Sequence, residues 1–271
     1  MSAAIRLLLC DVDGTLVRSD KSLGPPVVDA IARLRAAGVP VSIISARPMS
    51  GMLWIAERLK LTKPMAAFNG ATIFGADGRA TKSDHVGETE AARALALLVE
   101  RKVETWVFAD AQWYATTGDG EHAERERGSA GIEPTLQADL SGCIARVDKI
   151  VGISDDHAML AALEPDMAAA MAGKATVARS QLYYLDVTPL TGNKGDGVTA
   201  IAQACGVPLS EVAVIGDQRN DLAMFARAGL SIAMAQGPAD VRAAAQFVTT
   251  SNDEDGVAHA IDTIILPRLR S

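Results

Sequence analysis

Nearly continuous apolar runs at Ile5 to Cys10, Val39 to Ile44, Met65 to Phe68 and Val212 to Ile215 restrict this chain more than any other feature. A strand with one wet face alternates apolar and polar residues, whereas a strand apolar throughout is covered on both faces. Between the runs lie stretches with helical spacing. Pro25-Pro26 opens one in which Val27, Ile31, Leu34 and Ala37 share a face, and Gly38 ends it. Another follows Pro48, with Met52, Ile55, Ala56 and Leu59 together. Strands alternating with helices of this length predict βαβ units and a parallel sheet.

The pattern changes near Gly75-Ala76-Asp77-Gly78, which reads as a hairpin turn. Beyond it Val103 to Ala109 and Gln112 to Thr116 read as paired strands, with further strands at Arg146 to Ile153 and Leu182 to Thr188. Helices over Glu88 to Glu100 and Asp156 to Met171 separate them, and Pro165 is a candidate break in the second. After Pro189 the first pattern returns. A helix is expected from Lys194 to Cys205, a strand at Val212 to Ile215 and a helix near Leu222 to Ala228. A strand at Leu230 to Met234 and a last helix from Gly256 complete the chain. The expected fold class is α/β: a Rossmann-like parallel-sheet core over 1–80 and 190–271, interrupted by an inserted α+β cap domain over 81–189.

Composition narrows the function. Hydrophobic residues make up 49% and charged residues 22%, which excludes wholesale disorder. The net charge is −7 with no basic run, so neither nucleic acid nor an anionic membrane is an expected partner. Cys10, Cys143 and Cys205 include no close pair, which argues against a disulfide scaffold and suits a reducing cytoplasm. The first apolar run is cut short by Asp11 and Asp13, unlike a signal sequence, and no run approaches spanning length. A cytoplasmic monomer or weak homodimer is expected.

Four segments carry the chemistry, and three of them follow expected core strands. Asp11-Val12-Asp13-Gly14-Thr15-Leu16 follows the first, Ser45-Ala46-Arg47 the second, and Gly216-Asp217-Gln218-Arg219-Asn220-Asp221 the strand near Val212. Lys194 opens the helix after the insertion. In open α/β sheets ligands bind at the carboxyl ends of strands, so Asp11, Asp13, Asp217 and Asp221 are expected to converge there. Such a cluster repels itself unless a cation neutralises it, and hard oxygen ligands suit Mg²⁺.

Together these segments resemble the signature motifs of the haloacid dehalogenase superfamily. The mid-sized insertion between the Ser45 and Lys194 motifs is similar to that of its Cof-like phosphatases. The likeness extends to Asn69-Gly70-Ala71 and to Leu185-Asp186-Val187-Thr188-Pro189. Relatives more often carry Thr-Gly-Arg where this chain has Ser45-Ala46-Arg47; Ser keeps the hydroxyl and Ala the backbone N–H. The resemblance implies a Mg²⁺-dependent phosphatase of small phosphorylated metabolites, working through an aspartyl phosphate. Asp11 would be the nucleophile and Asp13 the general acid and base. The metal would be held by Asp11, Asp217 and the backbone carbonyl of Asp13. Ser45, Lys194, Asn220 and the N–H groups near Val12 and Ala46 would cradle the phosphoryl oxygens. Asp221 would orient Lys194 or a metal-bound water, and the insertion would act as a lid over the substrate.

Plainer readings stand beside these. A DxDG string alone is often a turn or part of a Ca²⁺ loop, but here the further acidic ligands of such a loop are missing. In isolation Ser45 reads as a helix cap and Lys194 as a solvated surface residue. Cys10 reads as a buried strand-end thiol and Arg47 as structural. His85, His122, His157 and His259 lack ligand spacing and read as surface residues, and Asn252-Asp253-Glu254-Asp255 reads as a solvated helix start. Trp106, Phe108, Trp113, Tyr114, Tyr183 and Tyr184 read as sheet core rather than as a ligand pocket. Two other activities share the motifs: a sugar phosphomutase or phosphotransferase, and a phosphometabolite-binding protein without catalysis. Phosphomutases carry a longer, Gly-rich spacing in the last motif, whereas Asp217 and Asn220 are three apart. A mere binder would tolerate loss of Asp11 or Asp13, and both are present.

Overall fold

The computed structural model describes residues 4–269. The chain divides into two compact units. The first comprises Met1–Ala46, Met52–Thr81 and Asn193–Ser271, and the second Arg47–Gly51 and Lys82–Gly192.

The first unit is built on a five-stranded parallel sheet. Its spatial order is Phe247–Val248, Leu230–Ala233, Val212–Gly216, Leu7–Cys10, Val41–Ile43. All four residues of the first strand are buried, as its unbroken apolar run requires. Leu7 and Leu9 pack with Val198, Ile201, Val214 and Met224 in one core cluster, while Leu8 and Cys10 are buried on the other face. The chain leaves this strand toward Val41–Ile43 on one side and later returns at Val212–Gly216 on the other. The strand order therefore reverses at the first strand, which opens a crevice at the carboxyl ends of these strands.

Met65–Ala67 departs from expectation. It forms an isolated parallel bridge from Ala66 to Ile44 but belongs to a separate three-stranded sheet with Thr72–Phe74 and Ala80–Ser83. The reason is the turn at Phe68–Gly70, which sends the chain straight back so that Met65 pairs antiparallel with Phe74. Asn252-Asp253-Glu254-Asp255 is also not a solvated helix start. Asp255 takes two hydrogen bonds of 2.8 Å from Arg18, Asp253 binds the backbone and hydroxyl of Ser19, and the Asn252 amide donates to the Val17 carbonyl. These acids tie down the loop that follows the first motif. The last helix continues from Gly256–Ala260 through a π-helical stretch at Ile261–Ile265.

The second unit is a six-stranded sheet in the order Ala175–Gln181, Tyr184–Pro189, Val147–Ile153, Glu104–Ala109, Gln112–Ala115, Pro134–Leu136. Only the last pair is parallel. Helices Glu88–Glu100 and His157–Met171 cover one face, with Leu98, Leu160, Leu163 and Met167 packed on Val107, Ile150 and Val187. The second helix runs on through Pro165. On the other face Trp106, Phe108 and Trp113 are buried against one another, as sheet core. Two histidines are not simple surface residues: His122 stacks on Tyr183 and binds Asp155, and His85 lies 3.1 Å from Asp148. The helix Glu121–Ala130 escapes periodicity because charge dominates it; Arg127 bonds Glu124 and Glu133 at its surface. Among the described residues no helix is long and apolar enough to cross a membrane.

Candidate active site

Parallel register places the ends of the strands side by side. Cys10 pairs with Ile43 and Ile215, so Asp11, Ser45 and Asp217 emerge just beyond three adjacent strands. Asp11 lies directly past the central strand, its N–H donating to the Ile215 carbonyl at 2.9 Å. It is 4% exposed, and Asp217 and Asp221 are equally enclosed. One carboxylate oxygen from each of Asp11, Asp217 and Asp221 lies within 4.8 Å of the others. Gly14, at φ +75°, makes this approach possible, since a Cβ there would stand 2.4 Å from Asp217 Oδ2.

Lys194 is the counter-charge. It heads the helix Lys194–Cys205, whose N-cap Asn193 accepts from the Asp196 N–H at 2.9 Å. Its ammonium sits 2.6 Å from both Asp11 Oδ1 and Asp221 Oδ1 and is 1% exposed, so the solvated reading does not hold. Burial pushes this ammonium toward neutrality, but Asp11 and Asp221 outweigh that and hold it above the usual lysine range. Burial raises Asp11 well above the ordinary carboxylate range, with Lys194 opposing and Asp221 and Asp217 adding to the rise. Asp217 is pushed up to about 6 by burial and by the neighbouring Asp221. Three acids around one ammonium leave an excess of buried negative charge.

The donor set fits a hard divalent cation. Asp221 is already committed: its second oxygen accepts from the backbone N–H groups of Asp217 and Gln218 at 2.7 and 2.9 Å. Asp11 and Asp217 take long contacts from Thr15 at 3.5 and 3.3 Å, and Asp217 takes one from Gln218 at 3.3 Å. Two carboxylates with room for water and phosphate are what Mg²⁺ takes.

Asp13 does not join the three acids. Its carboxylate lies 2.6 Å from Lys21 on the more exposed rim, because residue 13 is past the strand end and turns away in the loop. Val12 is buried beside Asp11, and Ser45, 1% exposed, is followed by a half-buried Ala46. Asn220 is exposed and donates to Asn69 Oδ1 at 3.3 Å. Arg47 is buried and donates to the Gly51 carbonyl at 3.1 Å, a structural contact. Burial pushes the Cys10 thiol up, which opposes any thiolate chemistry beside Asp11. Thr15, Gln218, Lys21 and Asn69 enter the site without having been assigned a role from sequence. Thr15, Gln218 and Asn69 carried a signal, since they stand in segments the resemblance covers; Lys21 carried none.

A family model for haloacid dehalogenase-like hydrolases matches residues 8–261, nearly the whole chain. The chain belongs to that family. This bears out the resemblance carried by the four motifs, and the protein is a hydrolytic enzyme. Among its curated relatives is a 5-amino-6-(5-phospho-D-ribitylamino)uracil phosphatase of Bacillus subtilis, 27% identical, covering 96% of this hydrolase and 98% of the relative. A phosphoglycolate phosphatase of Natronomonas pharaonis is 28% identical over 94% of this chain and 96% of its own. A solved haloacid dehalogenase-like hydrolase from Bacteroides thetaiotaomicron shares the fold, with a TM-score of 0.87 and 24% identity over 96% of this chain and 99% of that one.

Proposed function

We propose that this hydrolase is a Mg²⁺-dependent phosphatase of small phosphorylated metabolites, either sugar phosphates or phosphorylated cofactors, and that it works through an aspartyl phosphate. The observation that carries the reading is the buried Asp11 carboxylate at the strand-order reversal, held at 2.6 Å by Lys194. An anionic nucleophile meeting an anionic phosphate needs such positive charge to approach it.

In the first half-reaction an Asp11 oxygen attacks phosphorus and the phosphorus–oxygen ester bond breaks. The departing oxygen takes its proton from Asp13. In the second, Asp13 takes a proton from water, the water oxygen attacks phosphorus, and the acyl-phosphate bond opens to release phosphate and restore Asp11. Asp13 suits a proton carrier because its carboxylate is on the accessible rim, where it can exchange protons with solvent. Ser45, Lys194, Asn220 and the N–H groups around Val12 and Ala46 cradle the transferring oxygens. Asp221 fixes the Lys194 ammonium and the backbone of the last motif. Asp11 and Asp217, with the Asp13 carbonyl, would hold Mg²⁺, which supplies positive charge against the phosphate.

Phosphate release from p-nitrophenyl phosphate and a panel of sugar phosphates, with Mg²⁺ and with EDTA, tests the proposal. Asp11→Asn should abolish turnover, a loss beyond the ~10²–10⁴-fold of acid–base catalysis alone. Retained hydrolysis in a preparation free of deamidation would refute the covalent route.

A further inference from the structure

Three residues in a row, Phe68, Asn69 and Gly70, have φ of +48°, +57° and +107°. A bulky aromatic rarely occupies that region, and such strain persists only where surrounding contacts hold it. Several contacts of this turn run to the proposed phosphate cradle or to the residues beside it. The Asn69 N–H donates to the Ser45 carbonyl at 2.8 Å. The Asn69 side-chain oxygen accepts from the Asn220 amide at 3.3 Å. Gly70 is pressed against the start of the Lys194 helix: a Cβ there would meet the Asn193 carbonyl oxygen at 2.9 Å and the Gly197 Cα at 3.0 Å. One turn thus touches the Ser45 segment, the last motif at Asn220 and the start of the Lys194 helix.

We infer that Asn69 is a positioning residue that sets the Asn220 carboxamide for the transferring phosphoryl group, registering it to Ser45 through the same residue's backbone. The inference rests on the phosphatase reading. Among the described residues the bond to Asn69 is the only side-chain hydrogen bond recorded for Asn220, which is otherwise exposed. An exposed amide without a fixed partner spreads over its rotamers, and each substrate encounter then pays the ordering cost. Asparagine meets both demands on residue 69, since it tolerates the left-handed region better than most residues and carries the acceptor.

The test is a double-substitution cycle with p-nitrophenyl phosphate as substrate and orthovanadate as inhibitor. Asn69→Gly keeps the left-handed turn and removes only the side chain, so melting should stay near wild type. It should lower kcat/KM and vanadate affinity by about three- to tenfold, the worth of one neutral hydrogen bond. In an Asn220→Ala background the same change should cost less than about twofold, because the group it acts through is gone. Asn69→Asp keeps the acceptor, so in that background Asn220→Ala should cost as much as it does in wild type. Effects that multiply, an Asn69→Gly enzyme equal to wild type, or an Asn69→Asp enzyme uncoupled from Asn220 would each overturn the inference. Wild type that releases no phosphate from any probe would instead fail the functional reading.

Discussion

Lys194→Met leaves three buried carboxylates without their ammonium while roughly preserving the length of the side chain. The Lys194 nitrogen makes two contacts of 2.6 Å, to Asp11 and Asp221, with all three groups nearly inaccessible to solvent. At an effective dielectric of about 20, one such pair at ~4 Å is worth ~4 kcal/mol before desolvation is subtracted. Removing the ammonium restores none of the carboxylates' hydration, so the net loss should fall at about 3–5 kcal/mol, as for other broken buried pairs. For a domain of this size that is a fall in Tm of ~6–20 °C. Urea melts followed by circular dichroism in EDTA measure it. The double variant Lys194→Met with Asp221→Asn should recover part of the loss, because one uncompensated charge goes while the asparagine oxygen still accepts from the Asp217 and Gln218 N–H groups. A single substitution costing under about 1 kcal/mol, or a second that adds its own full cost, would refute the picture of a charge cluster held by one lysine.

Three further outcomes are expected. Asp217→Ala should gain much less melting temperature from added Mg²⁺ than wild type, whose shift grows as RT ln(1 + [L]/Kd), or ~2.7 kcal/mol at a hundredfold excess; equal shifts at matched ionic strength would remove Asp217 from the metal site. Asp13→Asn should let a phosphorylated enzyme accumulate on Asp11 when p-nitrophenyl phosphate is the substrate, read by intact-mass spectrometry after acid quench, and the absence of a trapped species would count against its role as base. In the second unit, burial pushes Asp148 up to about 6 despite His85 beside it. A folded value above the unfolded 3.8 favours folding while the group is protonated, so this contribution is complete below about pH 3.8 and lost as pH rises to about 6. Asp148→Asn should therefore stabilise the protein at pH 7.5 by up to about 3 kcal/mol and flatten the pH 4–6 part of the stability profile; a destabilised variant at pH 7.5 would reverse the sign.

Features that depend on local pattern are legible in the amino-acid sequence alone. An unbroken apolar run such as Leu7–Cys10 suits a strand buried on both faces, and residues just past such a strand lie at its end, which is where the register puts Asp11, Ser45 and Asp217. Pattern misplaced the run at Met65, because its length and apolarity match those of a core strand and only the turn at Phe68–Gly70 turns it away. Contacts over long separations belong to the tertiary structure alone. Lys194 stands 183 residues from Asp11, and nothing near it in the chain distinguishes a buried ammonium from a solvated one. The same holds for Asp255 on Arg18 and Asn220 on Asn69, whose partners lie 237 and 151 residues away. Asp13 is the instructive local case: two residues from Asp11 in sequence, it faces Lys21 rather than the acidic cluster, because side-chain direction past a strand end is set by the loop's dihedrals and not by spacing.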